Sequence, residues 1–146
     1  MSNMIYLDSN VFLYPEMLEA KSGNAAFLSK EILKQVVEGR ISAATCALTW
    51  DELFWVVKKK FGREIAARSS AKFLEFPNLK ILKVDEGTIR RSQVLVDKYA
   101  VNPRDSIHAA SCIEGGIEQI ITDDPDFDKI EQIKRIGLKD WKSAIV

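Results

Sequence analysis

Carboxylates hold most of the positions in this sequence at which chemistry could occur. Asp8 and Asn10 follow the short apolar run Met4-Ile5-Tyr6-Leu7, and Glu52 lies within Leu48-Thr49-Trp50-Asp51-Glu52-Leu53. Asp105 follows Asn102-Pro103-Arg104, and Thr122, Asp123, Asp124 and Asp126 follow Gln119-Ile120-Ile121. No Lys or Arg is interleaved closely enough to neutralise all of these acids. Like charges brought together repel unless protons or cations are bound. Hard oxygen ligands with no His or Cys partner suit Mg²⁺ or Mn²⁺ rather than zinc. Such an ion lowers the pKa of a bound water and clamps a phosphate, which supports phosphodiester hydrolysis without a protein nucleophile.

Whether these acids meet depends on the elements that carry them. Met4–Leu7, Ile41–Ala44, Leu79–Val84 and Gln119–Thr122 are short apolar runs of the kind that form buried strands, and Ile133–Ile136 is a weaker fifth. Between them, Leu28, Ile32 and Val36 recur at helical spacing. Further helices are expected over Leu48–Lys60, Arg63–Glu75, Glu86–Tyr99 and Pro103–Glu114, the last with proline in its first turn and Gly115 past its end. Short strands alternating with helices imply an α/β domain with a mostly parallel sheet. In such a sheet ligands sit beyond the carboxyl ends of the strands. Asp8, Asn10, Glu52, Asp105, Asp123, Asp124 and Asp126 would then share one rim.

Composition narrows the alternatives. The chain has 146 residues, which fits one domain over 1–146, and its 21 basic side chains balance 21 acidic ones. A protein that coats nucleic acid by bulk electrostatics would be strongly basic, so only a local basic groove or metal-bridged phosphate binding stays open. Cys46 and Cys112 make no disulfide framework, and the single histidine, His108, leaves zinc and Ser-His-Asp chemistry poorly supplied. The N-terminus lacks the pattern of a signal peptide, and no apolar stretch approaches the roughly 20 residues that span a bilayer. These features lead us to expect a soluble, cytoplasmic protein with no membrane partner.

Each site candidate also has a local reading. Thr49-x-x-Glu52 fits a capping box, Asn102-Pro103-Arg104-Asp105 a helix start favoured by the dipole, and Asp124-Pro125 an N-cap before a first-turn proline. Asn10 could cap the first long helix. Asp8 is not so explained, since Ser9 or Asn10 would supply the cap. His108, among small residues, is expected packed and hydrogen-bonded. Trp50 and Trp55 are expected in the core, and Lys58-Lys59-Lys60 with Arg63 at a solvated helix end. Arg104 is open to ion pairing or to RNA contact beside the site.

Taken in order, Asp8-Ser9-Asn10, Glu52, Arg104-Asp105-Ser106-Ile107-His108-Ala109-Ala110 and Thr122-Asp123-Asp124-Pro125-Asp126-Phe127 resemble the PIN domain of metal-dependent ribonucleases, a group that includes the VapC-type toxins of toxin–antitoxin pairs. The resemblance implies a three-layer α/β/α sandwich with a parallel sheet of about five strands, often assembled as a homodimer. It also implies an acidic Mg²⁺ or Mn²⁺ site that cleaves RNA. Asp8, Glu52 and Asp105 match the first three acidic positions of the family and Asp124 the fourth, with Asp123 its neighbouring alternative. Asp126 then resembles a supporting acid, and Asn10 and Thr122 polar groups that orient ligands or phosphate. A protein of VapC type would have a small antitoxin as partner. Two rival readings are a haloacid-dehalogenase-like phosphatase, although Asn10 stands where that family usually has a second acid, and a catalytically inactive PIN-fold RNA-binding module.

Overall fold

A computed structural model describes residues 3–145. Five strands, β1 (Ile5–Leu7), β2 (Ala43–Cys46), β3 (Leu79–Leu82), β4 (Gln119–Ile121) and β5 (Lys134–Ile136), form one sheet in the order β3-β2-β1-β4-β5. Every pairing is parallel, with Tyr6 opposite Ala44 on one side and Ile120 on the other. Parallel strands need long crossovers: α1 (Ser9–Met17) and α2 (Ala25–Val37) link β1 to β2, α3 (Leu48–Phe61) and α4 (Arg63–Leu74) link β2 to β3, and α5 (Glu86–Tyr99) and α6 (Pro103–Glu114) link β3 to β4, while a 3₁₀ turn, Pro125–Lys129, lies between β4 and β5 and α7 (Trp141–Ile145) follows β5.

Side chains on a strand alternate between faces, so neighbouring residues feed two separate cores. Ile5, Leu7, Ala43 and Ile121 pack with Val11, Ile32, Val36, Leu53, Val57 and Phe73 from α1 to α4. Tyr6, Ala44, Cys46 and Ile120 pack with Leu95, Ala109, Ala110, Cys112 and Phe127 on the α5–α6 side. The three central strands are covered on both faces, which is why β1 reads as an unbroken apolar run. The expected α/β sandwich with a five-stranded parallel sheet is therefore what the chain forms.

The expected helices over 86–99 and 103–114 are found with those bounds, and the other expected elements shift by one to three residues. The helix start expected at Ser9 or Asn10 is found as α1, with Asp8 in the cap position, but its extent has no signal in the sequence. It carries Pro15 in its interior and has no amphipathic stripe, so neither propensity nor periodicity announces it. Gly62 joins α3 to α4 with φ at 88°, a conformation that L side chains rarely adopt, and so turns the chain without a loop.

The strand order reverses between β1 and β4, and the crevice at such a switch point is where open α/β sheets bind ligands. β1 ends into Asp8 and β4 ends into Thr122, so the acids that leave these two strands flank that crevice.

Candidate active site

Asp8 leaves β1 at the N-cap of α1, and its Oδ1 accepts from the Ser9 amide at 2.8 Å. The capping duty expected of Ser9 or Asn10 thus falls to Asp8 itself, and Asn10 lies inside the first turn of the helix. Asp8 Oδ2 accepts from Thr122 Oγ1 at 2.7 Å, which ties the end of β1 to the end of β4. Thr122 Oγ1 in turn accepts from the Asp124 amide at 3.1 Å and from Asn10 Nδ2 at 3.2 Å. Thr122 is fully buried, so one hydroxyl sets the relative positions of Asp8, Asn10 and Asp124. Asn10 Oδ1 is buried with no partner among the described residues. An orphaned acceptor of this kind calls for a ligand or water beside it.

Glu52 comes from the first turns of α3, but the capping box expected for Thr49-x-x-Glu52 does not form. Ala47 holds the N-cap position without a side-chain bond, and Thr49 Oγ1 pairs with Thr45 Oγ1 at 2.7 Å instead. Glu52 Oε1 lies 2.5 Å from His108 Nε2. His108 is packed and hydrogen-bonded as expected of a helical histidine, yet its partner is one of the site acids. Burial opposes the charged imidazolium, but hydrogen bonds to Cys46 and Glu52 and the nearby Asp8 charge outweigh it and hold the His108 pKa well above 6.5.

Asp105 sits in the first turn of α6, near its N-terminus, where neither it nor Asn102 makes a side-chain capping bond. Asp124 caps the 3₁₀ turn Pro125–Lys129, accepting from the Asp126 amide at 2.9 Å. Carboxylate oxygens of Asp105, Asp124 and Asp126 all lie within 4.8 Å of one another, close enough to share one cation. Asp126, expected only as a supporting acid, thus stands level with Asp105 and Asp124. Asp123 faces away from them and accepts from the Leu138 amide at 3.0 Å, fixing the chain after β5. Asp8 and Glu52 stand outside the triplet, turned toward Thr122 and His108.

The acids sense one another. Partial burial, then the charges of Asp124 and Asp8, push the Asp105 carboxyl up to about 6. Burial also raises Asp8, against the pull of His108, Thr122 and the Ser9 amide. Tyr14 on α1 was not foreseen in the site; burial and then Asp123, Asp8 and Asp124 raise its phenol, which marks a negative field over the rim. A cleft of about 490 Å³ opens over this rim, lined by Glu52, Asn102, Pro103, Arg104, Asp105 and Asp124. Arg104 is exposed there and makes no ion pair among the described residues. The donors are all hard oxygens, Asp8 and Asp105 hold their protons more tightly than usual, and an orphaned amide oxygen lies beside them, so the set fits a divalent cation such as Mg²⁺ or Mn²⁺.

A second opening of about 600 Å³ lies between α3 and α4, lined by Trp50, Phe54, Trp55, Arg63 and Leu74 among others. Trp50 is 44% exposed and Trp55 47%, so the expectation that both belong to the core is wrong. Trp55 lies on the side of α3 away from Leu53 and Val57 and its Nε1 donates to Asp51 at 3.1 Å, whereas Trp50 stands in the first turn of the helix, one turn before Leu53. Among the described residues no helix is long and apolar enough to cross a membrane.

Comparison with solved structures agrees with this architecture. VapBC from Salmonella typhimurium bound to DNA superposes with a TM-score of 0.71 at 16% identity, covering 92% of this chain and 98% of that one. VapC20 of Mycobacterium tuberculosis, described as a toxin that cleaves the sarcin–ricin loop, gives 0.68 at 14% identity, covering 88% and 96%. FitAcB from Neisseria gonorrhoeae gives 0.67 at 17%, covering 93% and 99%. A search of curated proteins found no match. The sequence matches the family model for the PIN domain over residues 5–133, and the chain belongs to the PIN domain family.

Proposed function

We propose that the chain is a single PIN domain acting as a divalent-metal-dependent endoribonuclease, the toxin of a toxin–antitoxin pair. The observation that carries this reading is the gathering of Asp105, Asp124 and Asp126 within 4.8 Å at a strand-order switch point, beside Asp8 and Glu52. Asp105, Asp124 and Asp126 would hold Mg²⁺ or Mn²⁺ directly, with Asp8 and Glu52 completing the site. A bound divalent ion supplies charge neutralisation for a phosphoryl oxygen and an activated water for its hydrolysis. Thr122 keeps Asp8 oriented, Asn10 Oδ1 offers an acceptor to the substrate, and Arg104 offers its guanidinium to the RNA backbone. The crowded acids repel a phosphodiester until cation binding offsets their charge, which makes the protein inert to RNA without metal.

A solved structure of this fold from Klebsiella pneumoniae is described as a toxin–antitoxin complex, which favours an antitoxin as the partner. The exposed Trp50, Trp55 and Leu74 give such a partner an apolar face. The deciding experiment compares wild type and Asp8→Asn on a labelled RNA pool with Mn²⁺, Mg²⁺ or EDTA. Cleavage that needs metal and is lost in the variant supports the reading. An Asp8→Asn protein cutting at the wild-type rate refutes the site, and hydrolysis of small phosphomonoesters with RNA untouched points to a phosphatase.

A further inference from the structure

The chain has one histidine, and both of its ring nitrogens are committed. His108 is 1% exposed on α6, with Nε2 2.5 Å from Glu52 Oε1 and 3.7 Å from Asp8 Oδ1. On the other side of the ring, Nδ1 lies 2.7 Å from Tyr6 Oη, and Tyr6 is wholly buried in the middle of β1. The tyrosine ring meets the imidazole edge-on, with centroids 5.8 Å apart. A carboxylate only accepts, so Nε2 donates to Glu52 whichever charge the ring carries, and Nδ1 pairs with the tyrosine hydroxyl. This makes a continuous line from the central strand, through α6, to the acid on α3.

A buried histidine satisfied by backbone or solvent would be mere packing. Here the bond crosses between elements and ends on an acid that lines the cleft, while Glu52 Oε2 has no hydrogen-bond partner among the described residues. Glu52 belongs to a flexible side-chain type with three rotatable bonds, and fixing one oxygen removes most of that freedom before any ligand arrives.

We propose that His108, braced by Tyr6, is a positioning residue: it fixes Glu52 Oε1 and presents the free Oε2 to a cation held in the cleft. This inference rests on the metal reading given above. Outer-sphere partners of metal-binding carboxylates typically contribute 10- to 100-fold in affinity, and the line from Tyr6 to Glu52 is such a partner.

The test is Mn²⁺ titration of the full chain by calorimetry, with unfolding curves in EDTA confirming that each variant folds. His108→Ala should weaken Mn²⁺ binding by about 10- to 100-fold, and His108→Gln, whose amide can donate from a similar place, should recover most of the loss. A merely structural role would not be rescued in affinity by Gln. Glu52→Gln should weaken binding too, and adding His108→Ala to it should weaken it no further. Tyr6→Phe, which deletes only the hydroxyl, should cost a few-fold and decides the matter if His108→Ala does not fold. Wild-type affinity in His108→Ala or Tyr6→Phe, failure of Gln to rescue, or independent effects of the Glu52 and His108 changes would each overturn the inference. If wild type itself binds no Mn²⁺, the metal reading falls first, and this inference falls with it.

Discussion

Asp105→Asn should make the metal-free protein more stable at neutral pH while removing its response to metal. The Asp105 carboxyl is raised from the usual 3.8 to about 6 by partial burial and by Asp124 and Asp8. A raised carboxyl pKa means that the folded state holds the proton more tightly than the unfolded chain. Its unfavourable contribution is therefore absent below the unfolded value, grows as pH climbs from about 4 to about 6, and is complete above. At about 1.36 kcal/mol per tenfold change in proton affinity, the full shift corresponds to about 3 kcal/mol. Because the side chain is only half-buried, solvent screening reduces this to on the order of 1–1.5 kcal/mol. For a chain of this size each kcal/mol moves Tm by about 2–4 °C, so the gain should be roughly 3–5 °C. The assay is thermal unfolding of wild type and variant in EDTA from pH 4 to 8. The gap should be widest at pH 7–8 and close toward pH 4. Millimolar Mn²⁺ should then raise the wild-type Tm by mass action and leave the variant nearly unmoved. A variant no more stable than wild type at pH 7.5, or a gap that ignores pH, would refute the crowding of charge on which the site assignment depends.

Other substitutions separate site from scaffold. Asp124→Asn should weaken Mn²⁺ binding at least tenfold, whereas Asp123→Ala should leave it unchanged and lower stability by about 1 kcal/mol, because the Leu138 amide loses its acceptor; calorimetry and denaturant unfolding read the two effects. Thr122→Val keeps the shape but removes the hydroxyl between Asp8, Asn10 and Asp124, so RNA cleavage should fall by at least tenfold with the fold retained, as measured on the labelled pool. Phe127→Ala, at a fully buried position in the α5–α6 core, should cost about 3–5 kcal/mol in unfolding free energy.

The sheet was legible because its strands are buried on both faces and bounded by turn residues, and helices α5 and α6 because Asp85 and Pro103 mark their starts. Asp85 completes a capping box with Thr88, a purely local signal. What could not be read depends on the third dimension. Glu52 and His108 are 56 residues apart, and Tyr6 and His108 are 102 apart, so no spacing rule joins them. Trp50 and Trp55 looked like core residues because large aromatics usually are, but Leu53 and Val57 occupy the inward side of α3 and leave Trp55 on the outer one, while Trp50 is exposed in the first turn of the helix. Asp126 seemed secondary in sequence; the 3₁₀ turn after β4 swings it beside Asp105.

Capping and ligand binding are compatible in one side chain, and the geometry shows how. A carboxylate has two oxygens and about four lone-pair sites, so one amide bond does not exhaust it. Asp8 and Asp124 each accept a backbone amide and still line the rim, which means the helix starts aim these acids rather than consume them. Asp105 is the informative exception. It makes no side-chain cap and sits at a helix N-terminus, whose dipole favours the charged form. Its pKa nonetheless climbs to about 6, so desolvation and the neighbouring acids outweigh that dipole. A half-buried carboxylate with no local bond, held against like charges from two other segments of the chain, lowers the stability of the metal-free fold. Cation binding would reverse the sign of that contribution, which makes Asp105 the side chain whose place in the fold is explained by the site and not by the helix that carries it.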